Sequence, residues 1–293
     1  MISLIIPTRK RTKCLGTLFD SIEKTCRSAD NLEVLLAIDD DDFETIRFVE
    51  EQSKNREFSI RTLIGKRGRG YIDLHKKIKE LCKISWGDLL FFVADDVEFV
   101  TKDWDEKMLA AYNSIYEDNI FWIRTSHTEE GNPYAQCFAI TRDWYNITGH
   151  LGTCYQQDTE FNFVARRVGR EVQMKDIVII HHRADDRTAA REGEIDRTYL
   201  EGRIAADSGL LKGRTVWSPE VQANIIADAI KLLRYIKSSD DGQRNDDDIP
   251  ARIRALYLEY IKIKLQVISS RIKQSGKGAA EWLRVTIGRY KGS

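Results

Sequence analysis

Paired cysteines are missing from this 293-residue sequence. Its five cysteines, Cys14, Cys26, Cys82, Cys137 and Cys154, are odd in number, scattered and without a CxxC spacing, so neither a zinc ribbon nor a disulfide framework is suggested. A reducing, cytoplasmic setting is the expectation. No apolar run approaches the roughly 20 residues that span a bilayer, and the chain opens on a strand-like segment rather than on a charged and then apolar leader. No integral membrane segment is therefore expected. Net charge is also lacking, with 46 basic and 46 acidic side chains. The balance hides an asymmetry: residues 249–293 carry ten Lys/Arg against two Asp/Glu, so a polyanion or a membrane surface would meet the tail rather than the body. There is no internal repeat, and no Walker loop: GKRGRG at 65–70 is glycine-rich but lacks the GK[ST] ending.

What is present is an alternation of periods. Ile2–Ile6 is an apolar, β-branched run, Leu15–Ile22 has helical spacing, and Val34–Ile38 returns to strand composition. Residues 43–54 suit a helix, Phe58–Ile64 a strand, Tyr71–Cys82 a helix and Leu89–Val93 a strand buried on both faces. Such alternation predicts an α/β fold with a mostly parallel, Rossmann-like sheet flanked by helices. Further on, Lys102–Tyr116, Arg142–Thr148 and Thr159–Arg167 suit helices, and Ile120–Arg124, Ala135–Ile140 and Ile177–His182 suit strands. The expected organisation is a catalytic α/β domain over 1–183, a charged loop or lid over 184–218, and a helical C-terminal extension over 219–293 with a solvated linker at 238–248. In that extension Ile253, Tyr257, Tyr260, Ile261, Leu265, Ile268 and Ile272 form an apolar stripe. Packing or homo-oligomerisation through this stripe is expected, with peripheral membrane or nucleic-acid contact as the alternative.

In open parallel sheets ligands bind beyond the carboxyl ends of the strands. Four polar clusters follow the apolar runs there: Pro7 to Arg11, Asp39 to Asp42, Gly65 to Gly70, and Asp95–Asp96. Anionic and cationic groups at one edge suit a nucleoside diphosphate with a divalent cation, the carboxylates holding the ion and the cations the remaining oxygens. Adjacent carboxylates at the end of a buried strand repel one another unless a cation or hydrogen bonds compensate them, so Asp95–Asp96 points to a metal. The plainer readings are a basic turn for 65–70 and a helix cap for the acidic run.

These residues resemble those of the inverting family 2 glycosyltransferases with the GT-A fold. SLIIPTRKR resembles the first-strand signature, EVLLAIDDDD the base-reading strand and GDLLFFVADD the run ending in the DXD motif. The resemblance implies that Asp39 hydrogen-bonds the uracil of a UDP-sugar, that Pro7 and Thr8 line the base pocket, and that Arg9 stacks where relatives carry an aromatic. It further implies that Asp95 reaches the ribose or the metal, that Asp96 ligates Mn²⁺ or Mg²⁺, and that Lys66 and Arg69 contact the diphosphate. The first DXD position is Ala94 here, a departure from the pattern.

GTCYQQDTEFNFVARRVG resembles the segment carrying the general base, which makes Asp158 the expected acceptor of the hydroxyl proton, with Glu160 at a second acidic position. Asp158 also reads as an N-cap for a helix starting at Thr159. Of His181 and His182 only one can reach the metal, since neighbouring strand residues face opposite ways, and His182 is expected to do so. Trp104 and Trp144 read either as sugar platforms or as packing. The expected reaction moves sugar from a nucleoside diphosphate sugar donor to a hydroxyl acceptor that the sequence does not identify: glycan, lipid-linked sugar, protein or modified nucleic acid. The alternatives are a sugar-phosphate nucleotidyltransferase, for which PTRKRTKCLG is a poor match to the required glycine-rich loop, and a non-catalytic sugar-nucleotide or glycan-binding module.

Overall fold

The computed structural model describes residues 1–68, 73–127, 137–154, 156–182, 215–239 and 248–275. The opening follows the alternation closely. Strand β1 (Ile2–Pro7), helix α1 (Thr12–Thr25), β2 (Leu32–Asp39), α2 (Phe43–Gln52), β3 (Ser59–Gly65), α3 (Leu74–Ile84) and β4 (Leu89–Phe92) form in that order. Strands β3, β2, β1 and β4 lie side by side and parallel, so their carboxyl ends share one edge. Both faces of β1 and β2 are buried, which is why they read as unbroken apolar runs.

The second half is a mixed sheet. It contains β5 (Val97–Phe99), α4 (Trp104–Ser114), β6 (Trp122–His127), β7 (Phe138–Thr141), α5 (Arg142–Thr148), α6 (Gln157–Val168) and β8 (Glu171–His181). The full order is β3-β2-β1-β4-β7-β6-β8-β5. Strand β7 runs antiparallel to β4 and β6, β8 antiparallel to β5, and β6 parallel to β8. Two features depart from the sequence expectation. Three-residue β5 is too short to show a period, and β8 starts six residues before Ile177 because its polar first half pairs with β6 without burying a side chain.

Helices α1, α2 and α4 cover one face of the sheet, around Leu4, Leu36 and Phe91. On the other face α3, α5 and α6 join α7 (Pro219–Ser239) and α8 (Ile249–Ser275) over Ile5, Leu35 and Phe138. Ile225, Ile226, Ala229 and Leu233 of α7 sit in the same apolar cluster as Phe161 and Val164 of α6, so the C-terminal helices share the core that carries the site. The expected C-terminal stripe packs in part, through Ile253 and Tyr260. Helix α8 buries Ile249, Leu256 and Val267, and leaves Tyr257, Leu258, Ile261 and Leu265 exposed. Ile272, residues 184–214 of the expected lid and most of the expected linker lie outside the residues whose side chains are described. Among the described residues no helix is long and apolar enough to cross a membrane.

Candidate active site

The loop after β1 reaches two acidic clusters at once. Thr8 Oγ1 donates to Asp95 Oδ2 at 2.9 Å, and its backbone N–H donates to the Ala37 carbonyl at 3.1 Å. Arg9 Nη1 donates to Asp39 Oδ2 at 3.0 Å, while its Nη2 donates to Asp41 Oδ2 at 3.0 Å. Lys10 has φ +52°, a strained value for a residue with a side chain, and its N–H is held by Asp42 Oδ2 at 2.7 Å. Arg11 Nη1 donates to both Asp95 Oδ1 at 2.8 Å and Asp96 Oδ2 at 3.0 Å. Pro7 closes β1 opposite Ala37.

Asp39 is only 3% exposed. Its second oxygen, Oδ1, accepts from Lys77 of α3, so a carboxylate sits between two cations. Lys77 carries no sequence signal, because a lysine on an amphipathic helix ordinarily belongs to the solvated face. Asp42 caps α2 by accepting from the Thr45 N–H. Arg67 joins the cluster through Asp40 and Asp41, and the Arg9 hydrogen bond holds the Asp41 carboxyl below its ordinary range. Lys66 is exposed, and Arg69 lies outside the described residues.

The DXD-like pair is compensated by protein groups. Burial pushes the Asp95 carboxyl up, Arg11 opposes this, and the charge of Asp96 adds to it. Burial also pushes Asp96 up, but the His181 hydrogen bond and the Arg11 charge outweigh it and bring its carboxyl below the usual range. His181 Nε2 donates to Asp96 Oδ1 at 2.9 Å. His182, the histidine expected at the metal, instead points to Glu98 at 2.9 Å with half of its side chain exposed, and meets Asp96 through its backbone N–H alone. His182 thus lies opposite Asp96 along the backbone, while the His181 imidazole is the ring that reaches the Asp96 carboxylate.

These groups suit a divalent cation in chemistry and spacing. Carboxylate oxygen and imidazole nitrogen are ligands of Mn²⁺ and related ions. Neighbouring ligands of an octahedral ion with bonds near 2.1 Å lie about 3 Å apart, as Asp96 Oδ1 and His181 Nε2 do. Among the described residues no three His, Cys, Asp or Glu side chains are grouped to hold an ion.

Asp158 lies in the first turn of α6, whose N-cap is Gln156. It is therefore not the cap of a helix beginning at Thr159. One turn on, Phe161 stacks on Phe138 at 5.5 Å, and Phe138 pairs with Phe92, three residues before Asp95. This chain of contacts brings the α6 N-terminus to the sheet edge that carries Asp95 and Asp96. Burial raises the Asp158 pKa to about 6, against hydrogen bonds from the Thr159 N–H at 2.7 Å and hydroxyl at 3.3 Å that lower it. Glu160 faces backwards, accepting from the Thr153 N–H at 2.7 Å, the Thr153 hydroxyl at 2.6 Å and the Cys154 N–H at 3.1 Å. It thereby fixes the loop ahead of the helix. Gly152 has φ +107°, and an added Cβ would lie 2.6 Å from Gln157, so only glycine fits that turn. Gln156 Oε1 accepts from the Val216 N–H at 2.9 Å, tying the approach to α7 to the same helix end. Both tryptophans are core: Trp104 stacks on Phe99 at 4.4 Å and Trp144 packs 6.2 Å from Phe161, each 0% exposed.

Comparison with known proteins agrees with this architecture. The family described as glycosyl transferase family 2 matches residues 3–170. No curated protein sequence matches the chain. Among solved structures, a mannosyltransferase from Pyrobaculum calidifontis, determined with GDP-mannose and Mn²⁺, aligns over 99% of this chain and 79% of its own at 12% identity and a TM-score of 0.52. Staphylococcus aureus TarS residues 1–349 with UDP-GlcNAc aligns over 95% of this chain and 93% of its own at 14% identity and 0.50. The longer TarS chain aligns over 89% of this chain and 54% of its own, at 15% and 0.50. At such identities the likeness concerns the fold, which is that of GT-A glycosyltransferases.

Proposed function

The chain belongs to glycosyl transferase family 2, and we propose that it transfers a sugar from a UDP-sugar to a hydroxyl acceptor with inversion, Asp158 being the base. The arrangement around Asp39 supports uracil. A carboxylate flanked by the two donors Arg9 and Lys77 presents donor, acceptor, donor, the complement of an imide N–H between two carbonyls. Two of the roughly four lone-pair sites of the carboxylate are taken, which leaves capacity for the imide. A guanine edge, with one carbonyl beside two adjacent N–H donors, would leave one of the two cations facing an amino group.

Asp158 supports the inverting step. Its raised pKa makes it a stronger base than an ordinary carboxylate while leaving it mostly ionised at neutral pH. In the reaction it takes the proton of the acceptor hydroxyl as that oxygen bonds to the anomeric carbon. The bond from the same carbon to the β-phosphate oxygen breaks, and UDP departs with the electron pair. A divalent ion bound by Asp96 and His181 would neutralise the diphosphate as it leaves. Arg11 and Thr8 orient the carboxylate pair, and Arg9 and Lys77 hold the base. Glu160 fixes the loop beside Asp158.

The test is UDP release from a panel of UDP- and GDP-sugars with Mn²⁺. Turnover with at least one UDP-sugar, and loss of it in Asp158→Asn with UDP binding retained, is the expected result. Equal use of GDP-sugars would sink the assignment of the base, and an unaffected Asp158→Asn would sink the assignment of the catalytic group.

A further inference from the structure

Arg11 holds the two carboxylates that the reading above assigns to the metal end of the site. A single nitrogen, Nη1, reaches Asp95 Oδ1 at 2.8 Å and Asp96 Oδ2 at 3.0 Å. All three side chains are 10–13% exposed, so the contacts are poorly screened by water. A divalent cation on Asp96 would share that carboxylate with the guanidinium, and the two like charges would repel in a low-dielectric setting. Among the described residues no three His, Cys, Asp or Glu side chains are grouped so as to hold an ion by protein alone.

From this geometry we infer that Arg11 is a cationic latch: it occupies Asp95 and Asp96 when nucleotide is absent and gives up Asp96 to the metal when the diphosphate arrives, turning its guanidinium to the diphosphate. Its position favours the exchange. Arg11 is the N-cap residue of α1, at the end of the loop that also carries Thr8 and Arg9, and a guanidinium suits phosphate oxygens as well as carboxylates. The diphosphate offers ligands to the ion and anionic oxygens to the arginine. Ion and nucleotide therefore bind as a coupled pair, each raising the affinity of the other by the same factor. Together with Thr8 and His181, the latch also keeps two adjacent buried carboxylates compensated in the ligand-free protein.

This inference rests on the proposed function, and the experiment separates the two. Mn²⁺ binding to the full chain is followed by electron paramagnetic resonance, which counts free ion, with and without UDP, for wild type, Arg11→Ala and Arg11→Lys. Wild type should bind Mn²⁺ weakly alone and at least tenfold more tightly with UDP. Arg11→Ala should bind Mn²⁺ alone at least tenfold more tightly than wild type does, with a smaller gain from UDP and weaker UDP binding at saturating Mn²⁺. Arg11→Lys, which keeps the charge but not the fork, should lie between them, and its comparison with wild type decides the matter if Arg11→Ala does not fold. Variants binding Mn²⁺ alone no more tightly than wild type would overturn the latch while leaving the UDP-sugar reading intact. Absence of Mn²⁺ binding to wild type with or without UDP would remove the metal from the proposed function and the latch with it.

Discussion

The two ends of the candidate site handle buried carboxylates in opposite ways. At the sheet edge four acidic groups have a cation against them: Asp39 between Arg9 and Lys77, Asp41 on Arg9 and Arg67, Asp95 and Asp96 on Arg11. At the α6 end the partly buried Asp158 accepts from the Thr159 N–H and hydroxyl, and its pKa rises to about 6. Compensation keeps charge in place for binding. Desolvation without compensation makes a base, because it raises the free energy of the ionised form. In the proposed reaction the same residue type would serve two purposes according to what the fold sets beside it.

Substitutions can break that contrast. The largest effect is expected for Asp158→Asn, which should lower kcat by about 10²–10⁴-fold, the range of a positioned acid or base, while calorimetry finds UDP affinity unchanged. Next comes Asp39→Asn, which removes the charge between Arg9 and Lys77. It should weaken UDP binding by roughly ten- to a hundredfold, in line with the loss of a charge-assisted hydrogen bond, and leave kcat at saturating donor nearly untouched. Equal losses of kcat and affinity in either variant would erase the division of labour.

Stability offers a second way to sharpen it. The folded Asp158 pKa lies above the unfolded value of 3.8, so the folded state binds the proton more tightly, and stability contributed by this group falls as pH rises from about 4 to about 6. Above that window the ionised, buried carboxylate costs up to about 3 kcal/mol, at about 1.4 kcal/mol per pKa unit. Asp158→Asn should therefore melt higher than wild type at pH 8, with the gap closing toward pH 4. Transfer rate should show the opposite trend, falling about tenfold per pH unit below about 6 as the base is protonated. A pH-independent gap in melting temperature would argue against burial as the cause. Glu160→Gln should have the smallest effect, destabilising the chain by about 1–3 kcal/mol through the loop at Thr153 and Cys154, with kcat reduced less than in Asp158→Asn.

Much of the donor half was legible. Ile2–Ile6, Val34–Ile38 and Leu89–Val93 read as buried parallel strands because they are apolar on both faces, and the structure has them at β1, β2 and β4. The second half was less so. Antiparallel β7, three-residue β5 and the polar start of β8 depend on pairing partners far away in sequence, and a local period cannot carry that. Trp104 and Trp144 could be read either way from composition, and both turned inward.

Sequence alone determined which segments alternate between strand and helix, and hence that the groups after β1, β2 and β4 gather at one sheet edge. Parallel strands with right-handed crossovers leave no other arrangement. Tertiary structure alone decided the partners. Lys77 comes to Asp39 because α3 packs over the sheet, Arg11 rather than a hydrogen-bond network bridges Asp95 and Asp96, and the His181 imidazole rather than that of His182 reaches the Asp96 carboxylate. Charge pairing acts over a few ångströms of space, and those ångströms join residues up to 85 positions apart, a distance that only the packing of the sheet and its helices can close.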